Sequence, residues 1–340
     1  MAPSALTPPE NPVPSASHDP PAEVVREVED LRADLRRHSD LYHHDARPEI
    51  SDAEYDGLFR RLQEIEAAYP SLESLDSPTS RVDERVRKAL GKGTEPVYIL
   101  EPKLDGASIE LVYENGLLVR AVTRGNGREG EDVTQNVRTI STVPLRLRTD
   151  VRAAPTLLAL RGEVIMYVSD FADFNARLEA AGSEPYASPR NSAAGSVRQL
   201  DSRVTASRKL DLLVYDILAA EGVAFERDTQ GVQAIRDWGF RVPERIETAT
   251  DADGIVAFHS AFDADRDELD YEIDGVVVKL DDLSARRAMG ATSHHPRWAI
   301  AFKFTPRQEV TIIEKIDIQV GRTGVLTPVA WLRPVVVGGV

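Results

Sequence analysis

Cysteine is absent from the 340 residues. That excludes a disulfide scaffold, a Cys-ligated zinc site and a cysteine nucleophile within this chain, and it accords with a reducing compartment. No apolar run reaches the ~18 residues that a membrane span needs. The N-terminus lacks the basic start and apolar core of a secretory signal. The expected address is therefore the cytoplasm, with no membrane partner. A basic excess is missing as well: 41 Lys+Arg stand against 56 Asp+Glu, a formal charge of −15. Phosphate contacts need clustered cations, so the balance speaks against a simple basic nucleic-acid binder but not against an enzyme with a local basic cleft. The Gly-rich loop Gly125-Asn126-Gly127-Arg128-Glu129-Gly130 is neither G-x-x-x-x-G-K-[ST] nor a G-x-G-x-x-G opening a long helix, which leaves no warrant for a P-loop or a Rossmann site. No repeat of roughly 20–50 residues recurs, so a solenoid is excluded.

What is there divides the chain. Residues 1–21 hold seven of the 21 prolines and little apolar bulk, which reads as a disordered tail. Val24, Val28, Leu31 and Leu35 follow helical spacing. Ser51 and Glu54 form a capping box ahead of a second apolar face (Tyr55, Leu58, Phe59, Leu62, Ile65), so residues 22–75 are predicted to be a small helical domain. A polar linker (75–92) runs into a short helix over 81–90. From Val97 the period becomes two: Ile109, Leu111 and Tyr113 alternate with Ser108, Glu110 and Val112, and Asn115-Gly116 supplies a type I′ hairpin turn into 117–123. Further strands are predicted at 157–166, 210–218, 271–280 and 298–304, with helices at 170–181, 230–238 and 253–262. Hairpins and helices without a βαβ rhythm indicate an α+β fold with antiparallel sheets. Beyond Glu309 the strand-rich residues 310–337 are too few to close a core of their own, as in a domain that is cut.

Several segments can carry chemistry. Glu101, Lys103 and Asp105 of Glu101-Pro102-Lys103-Leu104-Asp105-Gly106 fall on one side of an extended chain, a lysine between carboxylates. Alone, such a four-residue K-x-D-G recurs by accident as an exposed loop lysine. Arg161-Gly162-Glu163 sits in an otherwise apolar strand, as a structural ion pair or facing a ligand. Lys279 ends Asp274-Gly275-Val276-Val277-Val278-Lys279. Lys303 alternates with Ile300, Phe302 and Phe304 and so points away from that apolar row. Each lysine alone could simply snorkel to solvent. Two of them in one cleft would make an anion site and lower the pKa of a third lysine nearby.

In this order the pieces resemble the nucleotidyltransferase superfamily of polynucleotide ligases and capping enzymes. The strings EPKLDG, TRGNGREGEDVTQNVRTI, SPRNSAAGSVRQLD, EIDGVVVK, PRWAIAFKF and QVGRTGVLTPVA resemble the bacterial NAD-dependent DNA ligase family from about residue 22 onward. The resemblance implies a helical NMN-binding domain at 22–75, an adenylation domain at 76–306 and an incomplete OB-fold at 307–340, in a monomer serving DNA replication and repair. It implies that Lys103 attacks the α-phosphate of NAD, giving Lys–AMP and NMN, with Lys279, Lys303 and Mg²⁺ as agents that make the amine nucleophilic. By resemblance Glu163 holds the ribose, Asp105 sits beside the sugar and phosphate, and Glu101 and Lys279 face the adenine. Tyr215 flanks the base, Lys303 reaches the α-phosphate, and Asp274 with Glu163 lies near the metal. Arg124 and Arg266 would serve nucleotide phosphates, and Arg190, Arg198 and Arg322 would serve nicked double-stranded DNA. Tyr42, His43, Asp52, Tyr55 and Asp56 would bind NMN, whose cationic ring suits aromatic faces and carboxylates.

Two departures accompany the resemblance. A Met-Leu-Ser-Leu-Asp-Asn run, which approaches the adenosine in the family, is missing where Ser77–Val82 passes into Asp83–Val86. The family's remaining OB-fold, four-Cys Zn²⁺ module, helix-hairpin-helix repeats and BRCT domain are absent after Val340, so Zn²⁺ is expected only in that further part. The expectation is a chain that adenylates itself and seals nicks poorly or not at all. The alternatives are an ATP-dependent ligase or capping enzyme, disfavoured by the Tyr42–Asp56 motif, and a non-catalytic nucleotide- or DNA-binding module.

Overall fold

The computed structural model describes residues 20–43, 57–58, 61–62, 65, 69, 83, 86–88, 90–91, 94–125, 129–291, 296–304, 310–320 and 326–335. It forms two compact units, 1–77 with 292–295, and 78–291 with 296–340. In the first, α1 (Ala22–His43) turns a stripe of Val28, Leu31 and Leu35 inward against Leu62 and Ile65, with Val24, Leu58 and Tyr69 at the margin. The second apolar face is thus helical where described, at 57–58, 61–62 and 65. The exposed Arg61–Glu27 pair (2.7 Å) adds little, as such surface pairs contribute at most about 1 kcal/mol. The capping box at Ser51 and Glu54, residues Phe59, Asp52, Tyr55 and Asp56, and the tail over 1–19 lie outside the described residues, as do the side chains of Tyr42 and His43.

The second unit is built on two four-stranded antiparallel sheets. Strands β1 (Tyr98–Leu104), β6 (Glu247–Ala249), β7 (Ile273–Leu280) and β8 (Ala299–Lys303) form one, in the order β6-β1-β7-β8. The other is β3-β2-β4-β5, from β2 (Ala107–Glu114), β3 (Leu117–Thr123), β4 (Leu157–Ile165) and β5 (Asp211–Ala220). Alternation places Ile109, Leu111 and Tyr113 in the larger core with Leu158, Leu160, Leu212 and Val214. The opposite residues of the same strands are left to line a site. Asn115 (φ 48°) and Gly116 (φ 77°) make the tight β2–β3 turn. The fold is α+β.

Seven helices of this unit are described in full: α2 (Thr134–Val137), α3 (Val168–Ala180), α4 (Pro189–Val197), α5 (Ser202–Ala206), α6 (Asp228–Asp237), α7 (Ala252–Asp265) and α8 (Leu283–Met289). Residues 83, 86–88 and 90 are helical too, and Tyr98 Oη donates to Asp83 Oδ1 at 2.7 Å. Helix α7 lays Ile255, Phe258 and Phe262 against Tyr98, Leu100, Val276 and Val278, covering the far face of the first sheet. Helices α4, α5 and α8 carry no apolar stripe long enough to read in sequence. Helix α4 buries small residues (Ser192, Ala193, Ser196, Val197) behind a Ser188 cap and a proline in its first turn. Beyond these, β9 (Ile313–Val320) and β10 (Leu326–Leu332) pair only with each other among the described residues. They leave Ile316, Ile318, Trp331 and Leu332 exposed.

Candidate active site

Register brings the segments together. Lys103 of β1 pairs with Gly275 of β7, and Gly275 pairs with Lys303 of β8. Directly opposed residues share a face, so both lysines project from one side of the sheet, two strand spacings or about 10 Å apart at the backbone. The residue between them bears no side chain. A Cβ there would lie 2.3 Å from the Phe302 carbonyl oxygen and 2.6 Å from Lys303 Cα, so β8 can approach only a glycine. Glu101, two residues before Lys103, and Lys279, opposite Ile99, fall on the same face.

The chain then crosses to the second sheet in two residues, Asp105 and Gly106. Asp105 N donates to Glu272 O (3.0 Å). A Cβ on Gly106 would lie 2.4 Å from Val164 O and 2.9 Å from Glu163 Cγ, so the glycine of K-x-D-G is what lets β4 and Glu163 close over the crossing. Glu163 pairs with Ser108 across β2 and β4. Tyr215 Oη lies 3.2 Å from Ser108 Oγ and 3.4 Å from Glu163 Oε2. One sheet therefore supplies the lysines and Glu101, and the other the carboxylate, hydroxyl and ring.

Charge is arranged in two groups. Toward solvent, Lys103 Nζ donates to both oxygens of Asp274, at 2.7 and 2.8 Å, across 171 residues of sequence. Arg190 Nη1 donates to Asp105 Oδ1 at 2.6 Å. Burial pushes the Glu163 carboxyl up to about 7, against the opposing pull of Lys103 and Arg190. In the floor, Lys279 Nζ meets three acceptors: Glu101 Oε2 (2.8 Å), Tyr215 O (3.1 Å) and Asp228 Oδ2 (3.2 Å). Three bonds saturate an ammonium. Burial lowers the Lys279 pKa, but Glu101, Asp228 and Asp216 outweigh it and the net shift is upward. Glu101 is 2% exposed, and burial raises it to about 7. Its second oxygen, Oε1, is buried without a hydrogen-bond partner, and such an orphan is costly unless a ligand meets it.

Two expectations need correction. Lys279 is not a spare cation beside Lys103: Glu101 and Asp228 enclose its charge, so it anchors a carboxylate instead of acting on the Lys103 amine. Arg266 does not join the Lys103 group. It caps α7, behind the sheet, paired with Asp263 at 3.3 Å and 5.6 Å from the Phe304 ring. Arg124 is exposed after β3, and Arg198 pairs with Glu131 at 3.1 Å. Arg322 lies outside the described residues. The ion-pair reading of Arg161-Gly162-Glu163 holds for Arg161, which binds Glu110 at 2.6 Å, while Glu163 turns to the cleft. Among the described residues no three of His, Cys, Asp and Glu converge as metal ligands, and Asp274 is taken by Lys103. The protein groups thus do not fit a preformed Mg²⁺ site. Asp228 and Arg286 had no sequence signal. They stand at helix positions without a motif and reach the floor only through folding.

Residues 70–307 match the family model for the NAD-dependent DNA ligase adenylation domain. The chain belongs to the NAD-dependent DNA ligase family. Residues 21–83 match the DNA ligase-like N-terminal NAD+-binding domain, and 310–340 the NAD-dependent DNA ligase OB-fold domain. The chain is 44% identical over 349 residues to a DNA ligase of Geotalea uraniireducens, covering 93% of this chain and 52% of that protein. It is 44% identical over 345 residues to one of Salinibacter ruber (92% and 50%), and 46% identical over 354 residues to one of Desulfosudis oleivorans (94% and 52%). It thus spans about half the length of the curated ligases it matches. All three alignments are longer than the 340-residue chain itself, so these ligases carry residues within the aligned span that this chain lacks. Among the described residues no helix is long and apolar enough to cross a membrane.

Proposed function

We propose that this chain takes the adenylate of NAD⁺ onto Lys103. Nζ attacks the adenylate phosphorus, a P–N bond forms, the P–O bond to NMN breaks, and NMN leaves with the electron pair. From ammonium to phosphoramidate Nζ gives up two protons: Asp274, bonded to it through both oxygens, is placed to accept the first, and the second passes to solvent water. The observation that carries this reading is the shared face of β1: an amine held on a carboxylate, and two residues away a buried carboxylate oxygen with no partner. Adenine meets that oxygen with its exocyclic amine, a donor, while Tyr215 lies against the base and Glu163 holds the ribose. The phosphate sits above Gly275, within reach of Lys103 and Lys303. Such transfers rest on positioning and electrostatics more than on covalent help from the protein.

The proposal gives residues 22–75 the NMN half through Tyr42, His43, Asp52, Tyr55 and Asp56, residues 76–306 the adenylate, and 307–340 the start of an OB-fold. In the whole protein AMP passes on to the 5′-phosphate of nicked double-stranded DNA, with Arg124, Arg190, Arg198 and Arg322 serving phosphates of nucleotide and DNA. The setting is a monomer in the bacterial cytoplasm with Mg²⁺ present. The test is intact mass after incubation with Mg²⁺ and either NAD⁺ or ATP, with Lys103→Ala as control. One added AMP from NAD⁺ alone, lost in the variant, is expected. An adduct from ATP instead overturns the donor, and no adduct from either overturns the reaction and leaves a binding module.

A further inference from the structure

The floor of the cleft contains a buried chain of four alternating charges. Glu101 contacts Lys279, Lys279 contacts Asp228 (3.2 Å), and Asp228 Oδ2 also accepts from Arg286 Nη2 at 2.7 Å. All four side chains are nearly inaccessible, 3%, 7%, 9% and 6% exposed in that order. Four elements converge: Glu101 lies on β1, Asp228 opens α6, Lys279 is the next-to-last residue of β7, and Arg286 lies on α8. Arg286 is itself fixed, with Nε donating to Leu280 O and its guanidinium 4.3 Å from the Trp298 ring centroid. Asp228 N donates to Asp281 O (2.9 Å), tying α6 to the end of β7.

The four formal charges sum to zero, a balance that favours the ionised form of Glu101 against its burial. Two carboxylates share Lys279. Without Arg286, one ammonium would serve both, and buried like charges push one carboxylate to take a proton. Glu101 would be that one, since it has the unpartnered oxygen and Asp228 lies as a second negative charge beside it, with Asp216 on β5 as a third. An ionised Oε1 only accepts hydrogen bonds and suits the 6-amino group of adenine. A protonated one donates and suits the 6-oxo group of hypoxanthine.

We propose that Arg286, remote from the base, is a positioning residue for purine specificity: by neutralising Asp228 it reserves Lys279 for Glu101, whose free oxygen then selects a 6-aminopurine dinucleotide over its 6-oxo counterpart. This rests on the placement of adenine given above. It adds what holds the selecting oxygen in its accepting form.

The experiment measures the rate of Lys103 adduct formation from NAD⁺ and, separately, from nicotinamide hypoxanthine dinucleotide, with melting temperature as a check on folding. A site built to meet an amino group rejects the 6-oxo analogue by about 100-fold or more in the unmodified chain. Arg286→Gln is expected to cut that ratio at least about tenfold, chiefly by weakening NAD⁺ binding, and Arg286→Lys to retain most of it. Asp228→Asn alone keeps the ratio. The double variant Arg286→Gln/Asp228→Asn, again neutral in sum, restores it to within about threefold of the unmodified chain, as a charge-coupled pair should. A structural defect would slow both dinucleotides alike and would not be rescued by a second buried substitution. An unchanged ratio in Arg286→Gln, or no recovery in the double variant, overturns the proposal. If Arg286→Gln does not fold, Arg286→Met, which keeps an apolar stem beside Trp298 and also carries no charge, takes its place: a ratio cut at least about tenfold is expected, and an unchanged ratio overturns the proposal. An unmodified chain that forms no adduct from either dinucleotide refutes the adenylation reading itself, whereas a normal NAD⁺ adduct with an unresponsive ratio refutes only the role of Arg286.

Discussion

Glu163→Gln is expected to stabilise the adenylation unit at pH 8 while disabling it. Burial raises the Glu163 carboxyl from 4.5 to about 7 in the folded chain. At 1.36 kcal/mol per pH unit, ionising it there costs about 3 kcal/mol relative to the unfolded chain. Relaxation and water penetration reduce this, so about 1–2 kcal/mol is the working figure. The sign follows from proton uptake: a carboxyl with a raised folded-state pKa binds its proton more tightly when folded. The cost is therefore fully present above pH 7 and vanishes below about 4.5. Glutamine has the same shape, can still accept from Tyr215 Oη, and never ionises. At roughly 2–4 °C per kcal/mol for a unit of this size, the variant should melt about 2–8 °C higher at pH 8, with the gain shrinking steadily toward pH 5. Adenylation, measured by intact mass, should fall at least about tenfold, because the charged acceptor proposed for the ribose is lost. Paired melting curves at pH 8 and pH 5 are the assay. A gain equal at both values, or a loss at pH 8, would show that Glu163 is not held at a cost and would refute the reasoning.

Other outcomes follow from the same geometry. Gly275→Ala puts a Cβ 2.3 Å from the Phe302 carbonyl oxygen, so β8 must move; about 1–3 kcal/mol of stability and most adenylation should be lost, read by melting and intact mass. Asp274→Asn removes one side of a partly exposed ion pair, so stability should change by no more than about 1 kcal/mol while adduct formation slows at least tenfold. Tyr113→Phe removes a fully buried hydroxyl that donates to Pro144 O at 2.7 Å, and should cost about 1–2 kcal/mol in denaturant unfolding without changing the adduct yield at saturation.

Much of this protein was legible one residue at a time. The periods of Val24–Leu35 and of Ile109–Tyr113 mark elements because a helix repeats every 3.6 residues and a strand every two, and both stripes are buried. Asn115-Gly116 marks a hairpin because few residues accept positive φ. Lys103, Glu163, Asp274 and Lys279 stand in short ordered motifs that are legible in the sequence, and the α+β class followed from the mixture of periods. Helix α4 shows no hydrophobic period because its buried face is mostly serine and alanine, with one proline and one valine.

What the sequence could not contain is partnership across distance. Electrostatic roles depend on the nearest opposite charge, and that neighbour is set by register and packing, not by order along the chain. Lys279 reads as a free strand lysine until β1 and α6 set two carboxylates against it. Arg266 reads as a phosphate ligand until α7 places it behind the sheet. Arg286 and Asp228, 58 residues apart, have no motif at all, yet they complete the charge balance beneath Glu101. Sequence by itself determined which groups are available and which elements carry them. Tertiary structure alone decided which of those groups are compensated and which carboxylate oxygen in the floor of the cleft is left without a partner, because both depend on neighbours that only packing supplies.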